Sequence, residues 1–149
     1  MKIDLDVDEK YEELSVLIKS GKLDDEVLEI MKKLKEKKIE NFLGNKNERI
    51  YILKPSDIIC FYSESQKIMA DTEEGSFEIK LKLYEIEELL IKLPFVRTSK
   101  FAIVNIEKIN NIELSFGGNL IINLVNGRKE TISRRYMKKV KEFIKMEGK

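Results

Sequence analysis

Fifteen residues, 95–109 (FVRTSKFAIVNIEKI), constrain this chain more than any others. A polar, basic patch over 97–100 leads, through Phe101, into the apolar run Ala102, Ile103 and Val104, which reads as a buried strand. Exposed cations are thereby anchored to a rigid element. The stretch is answered downstream by Asn126-Gly127, the strongest short hairpin signal, and by Ser133-Arg134-Arg135-Tyr136 at the head of a basic amphipathic segment.

Short apolar runs extend this pattern in both directions. Residues 49–53 and 58–62 are strand-like, separated by Lys54-Pro55-Ser56-Asp57, and residues 67–71 and 76–81 flank a turn at Glu73-Glu74-Gly75. Further strands are expected over 102–106, 109–115 and 120–125 and on to 132, with turns at Gly117-Gly118 and Asn126-Gly127. Leu83, Ile86, Leu89, Leu90 and Leu93 recur at helical spacing, which predicts a helix over 84–93 stopped by Pro94. A last helix is expected from Ser133, its N-cap, to 146, with Tyr136, Met137, Val140, Phe143 and Ile144 as the core stripe. The fold class is mainly β (α+β), an antiparallel β domain with short helices.

Ahead of it, Ile3, Leu5 and Val7 alternate with charged residues as in a half-buried strand, and 15–19 is a second apolar run. Asp24, Asp25 and Glu26 open a helix carrying Val27, Leu28, Ile30, Met31 and Leu34, and Lys32, Lys33, Lys35, Lys37 and Lys38 crowd its end. Residues 1–43 are therefore expected to be a strand-strand-helix unit for dimerisation or docking, too small to be comfortable alone. Gly44-Asn45-Lys46-Asn47 reads as the connection into the main domain, 44–149.

Composition narrows the function. The chain has 149 residues and no histidine, which removes His-based triads, His acid-base catalysis and His-containing zinc sites. Its one cysteine, Cys60, lies between apolar neighbours and reads as a small core residue. Asp71, Glu73 and Glu74 read as solvated turn charge with no nucleophile nearby, so an enzyme is not expected, nor any cofactor, metal or small-molecule substrate. With no apolar run of membrane-span length and no secretory signal, a cytoplasmic protein is expected. The net charge of +1 hides an asymmetry: residues 97–149 hold 12 Lys/Arg against 5 Asp/Glu, and residues 1–96 hold 16 against 22. The basic excess suits phosphate binding; a merely solvated basic face is the plainer alternative.

The ordered words F-x-R-x-S-K-x-x-I-V-N-x-x-K-I, then N-G, then I-S-R-R-Y on a basic helix resemble the LytTR family of bacterial DNA-binding domains over residues 45–144. The resemblance implies a sequence-specific transcription factor whose loops at one edge of the β structure, not a recognition helix, enter the grooves of double-stranded DNA. It also implies a homodimer on repeated sites. A receiver domain precedes the module in many members, and 43 residues are too few for one, so a stand-alone regulator is expected, with a small membrane protein as its regulating partner.

Carried over residue by residue, the resemblance gives Lys100 and Arg135 as base readers, with Arg97 and Ser99 beside Lys100, and Gln66 or Lys67 as a third contact. Arg or Lys to guanine O6/N7 is the commonest base contact, and Gln can pair with adenine. Ser133 and the backbone N–H groups at its helix start suit a phosphate, and Arg134 and Lys138 extend the basic surface. Arg97 has a second reading, bracing the loop by pairing with a carboxylate, and Asn105 reads as structural. The acidic face of helix 84–93 is expected to point away from the DNA. Phe101 departs from the family, where a small, often hydroxyl-bearing residue is usual. That departure motivates the competing class, a protein-interaction module on the LytTR scaffold.

Overall fold

Strand β3 (Cys60–Glu64) is apolar on both faces: Phe61 belongs to one core, Cys60 and Tyr62 to another. This is the signature of a central strand with layers on both sides. It sits within a seven-stranded sheet with β1 (Phe42–Lys46), β2 (Arg49–Leu53), β4 (Lys67–Thr72), β5 (Gly75–Ile79), β6 (Phe95–Ser99) and β7 (Ala102–Asn105), in the order β2-β1-β5-β4-β3-β7-β6. Every pairing is antiparallel. The structure, a computed structural model, describes residues 1–35, 39–115 and 117–147.

One face of the sheet buries Phe42, Phe61, Phe77 and Ile103 under α2 (Leu83–Leu89), which contributes Leu83 and Ile86. On the other face Cys60, Tyr62, Val96, Ala102 and Val104 pack against a three-stranded sheet, β8 (Ile109–Leu114), β9 (Leu120–Leu124) and β10 (Lys129–Ile132), and against α3 (Arg134–Glu147) through Val140. Truncating a fully enclosed ring such as Phe61 removes about 3–5 kcal/mol from this arrangement. Cys60 is buried as expected, and burial, then the neighbouring Asp71, pushes its thiol far above the ordinary range, so it is an inert core group. Asn105 is structural: its amide donates to the Ile58 carbonyl at 2.9 Å and its oxygen accepts from Glu107 N–H at 3.0 Å.

Several expectations are corrected. Residues 44–47 are not a connection: they lie in β1 and its turn, where Asn47 and Glu48 both take positive φ, so Asn-Glu makes the two-residue hairpin usually signalled by Asn-Gly. A Cβ on Gly44 would meet Phe77 Cβ at 2.8 Å, which explains a glycine inside a strand. A boundary at 43/44 therefore cuts β1, and the chain divides instead into Met1–Lys37 and Lys38–Lys149. The basic patch at 97–99 is itself a strand, β6. Helix α2 ends at Leu89, and the chain turns over the residues before Pro94.

In the unit Met1–Lys37 the expected strands are absent from the described residues, and its regular element is α1 (Asp25–Lys35), capped by Asp24, whose carboxyl accepts from Val27 N–H at 3.1 Å. Alternation alone does not make a strand; a ladder partner is needed, and none among the described residues pairs with this segment. Ile3, Leu5 and Val7 stay 75%, 88% and 91% exposed. Of the expected lysine cluster, Lys32, Lys33 and Lys35 lie in the last turn of α1, while Lys37 and Lys38 fall outside the described residues.

Candidate nucleic-acid interface

Strand register gathers the candidate residues at one end of the seven-stranded sheet. β3 and β4 meet in a two-residue turn, Ser65-Gln66, both at positive φ, which presents Gln66 and Lys67 to solvent. β7 runs antiparallel to β3 with Tyr62 opposite Ala102, and Ser63 N–H donates to the Phe101 carbonyl at 2.9 Å. The β6–β7 turn with Lys100 and Phe101 is thus tied to the β3–β4 hairpin.

The third segment is joined through a bulge. Arg97 pairs with Ile103 and Ser99 with Ala102, so Thr98 is the extra residue of β6. Its carbonyl accepts from Ser133 N–H at 3.0 Å, which fixes the start of α3 beside this end of the sheet. Arg134, Arg135 and Lys138 are exposed there. The N–H of Ser133 is consequently satisfied inside the protein by the buried bulge.

Arg97 is the brace. Its guanidinium donates to Glu87 Oε1 at 2.8 Å, to the Ser99 carbonyl at 2.7 Å and to the Lys100 carbonyl at 2.8 Å. Ser99 Oγ in turn accepts from Phe101 N–H at 3.0 Å. Both residues keep the loop in one conformation, and the fork of Arg97 is well matched to such bonding. Glu87 also lies 3.8 Å from Lys139. The acidic face of α2 therefore does not turn wholly away from the basic end: one of its carboxylates supports it. Sequence reading missed Glu87, and the only signal was the spare carboxylate that a bracing Arg97 demands.

Gln66, Lys67, Lys100, Arg134, Arg135 and Lys138 are in no ion pair among the described residues, so their donors face solvent. The Tyr136 ring has two cations near it, Arg97 at 5.9 Å and Arg135 at 5.8 Å from its centroid.

The opposite end of the sheet is built otherwise. Asp71, expected as solvated turn charge, is 7% exposed on β4 and accepts from Tyr62 Oη at 2.8 Å, Ser76 Oγ at 2.6 Å and Asn126 Nδ2 at 3.2 Å. It ties the Asn126-Gly127 turn to the large sheet. Arg128 stacks 3.5 Å from the Tyr62 ring centroid and bonds Glu130 at 2.7 Å; burial is the largest single influence and opposes its charge, but the bond and charge of Glu130, together with Cys60 and Tyr62, raise its pKa.

Residues 48–145 match the LytTr DNA-binding domain family. Uncharacterized HTH-type transcriptional regulators of Staphylococcus aureus strains MSSA476 and MW2 are each 32% identical over 143 residues, covering 95% of this chain and 97% of theirs. A solved LytTr DNA-binding domain from Bacillus cereus superposes with a TM-score of 0.67 at 21% identity, covering 71% of this chain and 97% of that one, which shows the shared fold. By the family match across the β domain and by relatives that align along nearly its whole length, the chain belongs to the LytTr DNA-binding domain family.

Proposed function

We propose that this chain is a bacterial transcriptional regulator that binds double-stranded DNA sequence-specifically through the β3–β4 turn, the β6–β7 turn and the start of α3. The observation that carries this reading is the convergence of solvent-facing Gln66, Lys67, Lys100, Arg134, Arg135 and Lys138 from three separate segments onto one end of the sheet. Lys100 and Arg135 read base edges; Gln66 or Lys67 makes a third contact; Arg134 and Lys138 meet phosphates; Arg97 and Ser99 position the loop. Selection of bound duplexes from a random pool, followed by salt titration on the selected site and on mixed-sequence DNA, tests it. A common sequence bound far more tightly than mixed DNA is the expected result, and binding to neither duplex would leave a protein-interaction module.

The protein acts in the cytoplasm as a homodimer on paired sites, with the N-terminal unit as the contact between copies or with a membrane-protein regulator. Supporting this are the apolar side chains of that unit left in solvent, among them Leu14, Val16, Leu17 and Leu23. Removal of residues 1–37 is expected to leave a folded domain that binds one half-site without cooperativity. Unchanged mass in solution and unchanged cooperativity would count against the dimer.

A further inference from the structure

The family departure at Phe101 sits on a turn of the basic end whose backbone is hydrogen-bonded. The residue is 56% exposed on the turn that joins β6 to β7, between Lys100 and the buried Ala102. Exposure here is not the result of a loose loop. The Phe101 N–H is bonded to Ser99 Oγ, its carbonyl accepts from Ser63 N–H, and the carbonyl of Lys100 before it is held by Arg97. The Lys100 ammonium lies 5.1 Å from the ring centroid, so cation and ring are presented together.

We propose that Phe101 is a specificity-determining residue that packs on the 5-methyl group of a thymine in the major groove, next to the base read by Lys100. This rests on the reading of that end as the DNA interface and deepens it. Among the groups that distinguish base pairs in the major groove, the thymine methyl is the protruding apolar one and the one a ring can cover. Lys100, read as bonding guanine O6/N7, faces the major groove, and the residue beside it on a two-residue turn shares that groove. A wedge between base steps belongs instead to proteins seated in the minor groove. The backbone that carries the ring is held before binding, so docking orders little more than the side chain itself and more of the contact is realised as affinity.

The test uses the site selected from a random pool by the full chain, with each thymine replaced in turn by uracil, which removes the methyl group alone. Uracil at one or two positions is expected to weaken binding about fourfold, the worth of one buried methyl. Phe101→Ala is expected to bind the selected site about tenfold more weakly, to bind mixed DNA almost unchanged, and to lose the preference for thymine over uracil at those positions. Phe101→Leu, still apolar, should keep part of that preference. Thermal melting of each variant confirms folding, which an exposed side chain should not disturb. Persistence of the thymine preference in Phe101→Ala, or wild-type affinity of that variant, overturns the proposal while DNA binding stands. A reduced DNA bend in Phe101→Ala without any uracil effect also overturns it, in favour of a wedge. A wild-type chain that selects no sequence at all overturns the DNA reading and this proposal together.

Discussion

At one end of the seven-stranded sheet Arg128 stacks on Tyr62 and bonds Glu130, over a buried Asp71 whose oxygens accept from three side chains. At the other end Lys100, Arg134 and Arg135 hold no carboxylate among the described residues, while Arg97 and Glu87 bond each other behind them. Both ends are rigid, by different means. The first spends its charged groups on holding two sheets together. The second holds its loop through side-chain bonds to its backbone and the Arg97–Glu87 ion pair, so its outer cations remain available to a ligand. Residue type does not separate Arg128 from Arg135; the partner within reach does.

The comparison breaks most readily at Asp71. Asp71→Ala strands the buried Tyr62 hydroxyl and unties the exposed Asn126 from the large sheet, and is expected to cost about 3 kcal/mol of stability in chemical denaturation. The base preference of the folded fraction should not change. A loss of preference with stability intact would show that this end takes part in DNA binding.

At the basic end the order reverses. Lys100→Ala and Arg135→Ala should each cost about 1–3 kcal/mol on the selected site, far less on mixed DNA, and leave stability within about 0.5 kcal/mol. Equal losses on both duplexes, read by fluorescence anisotropy, would reduce these residues to general electrostatics.

Tyr62→Phe is a gentler probe, expected to lower stability by about 1 kcal/mol at neutral pH. Burial raises the Tyr62 hydroxyl above its ordinary value of 10.0; the neighbouring Ser76 hydroxyl works the other way, and Asp71 adds to the rise. The folded state therefore keeps this proton more strongly than the unfolded chain. Its contribution is fully present below about pH 10 and fades as pH climbs through the folded value, a loss that Tyr62→Phe should lessen. An identical alkaline decline in both proteins would refute the assignment.

Lys138→Ala should have the smallest effect. It is expected to lower affinity for selected and mixed DNA together and to reduce the salt slope by about one unit. A sequence-dependent loss would place Lys138 among the base readers.

Much of this was legible without coordinates because it depends on local periodicity. Strand alternation, the helical spacing of Val140 and its neighbours, the Asn126-Gly127 turn and the basic words around Lys100 and Arg135 each need only a few adjacent residues. The β1–β2 hairpin escaped because Asn47-Glu48 lacks the glycine that usually marks such a turn, and Gly44 looked like a breaker when it was a close contact with Phe77. The N-terminal alternation misled for the converse reason: it specifies a face but not a partner.

By itself the sequence determined the strand-rich pattern, the placing of the basic words and the family to which the β domain belongs. Only the tertiary structure decided which charges stay outside. Arg97 finds Glu87 ten residues away and Asn126 reaches Asp71 across 55 residues, pairings that no local pattern encodes. The physical reason is that hydrogen bonds are short-range and directional. Whether a cation serves the fold or a ligand depends on an acceptor within about 3 Å, and the folded chain alone sets that distance.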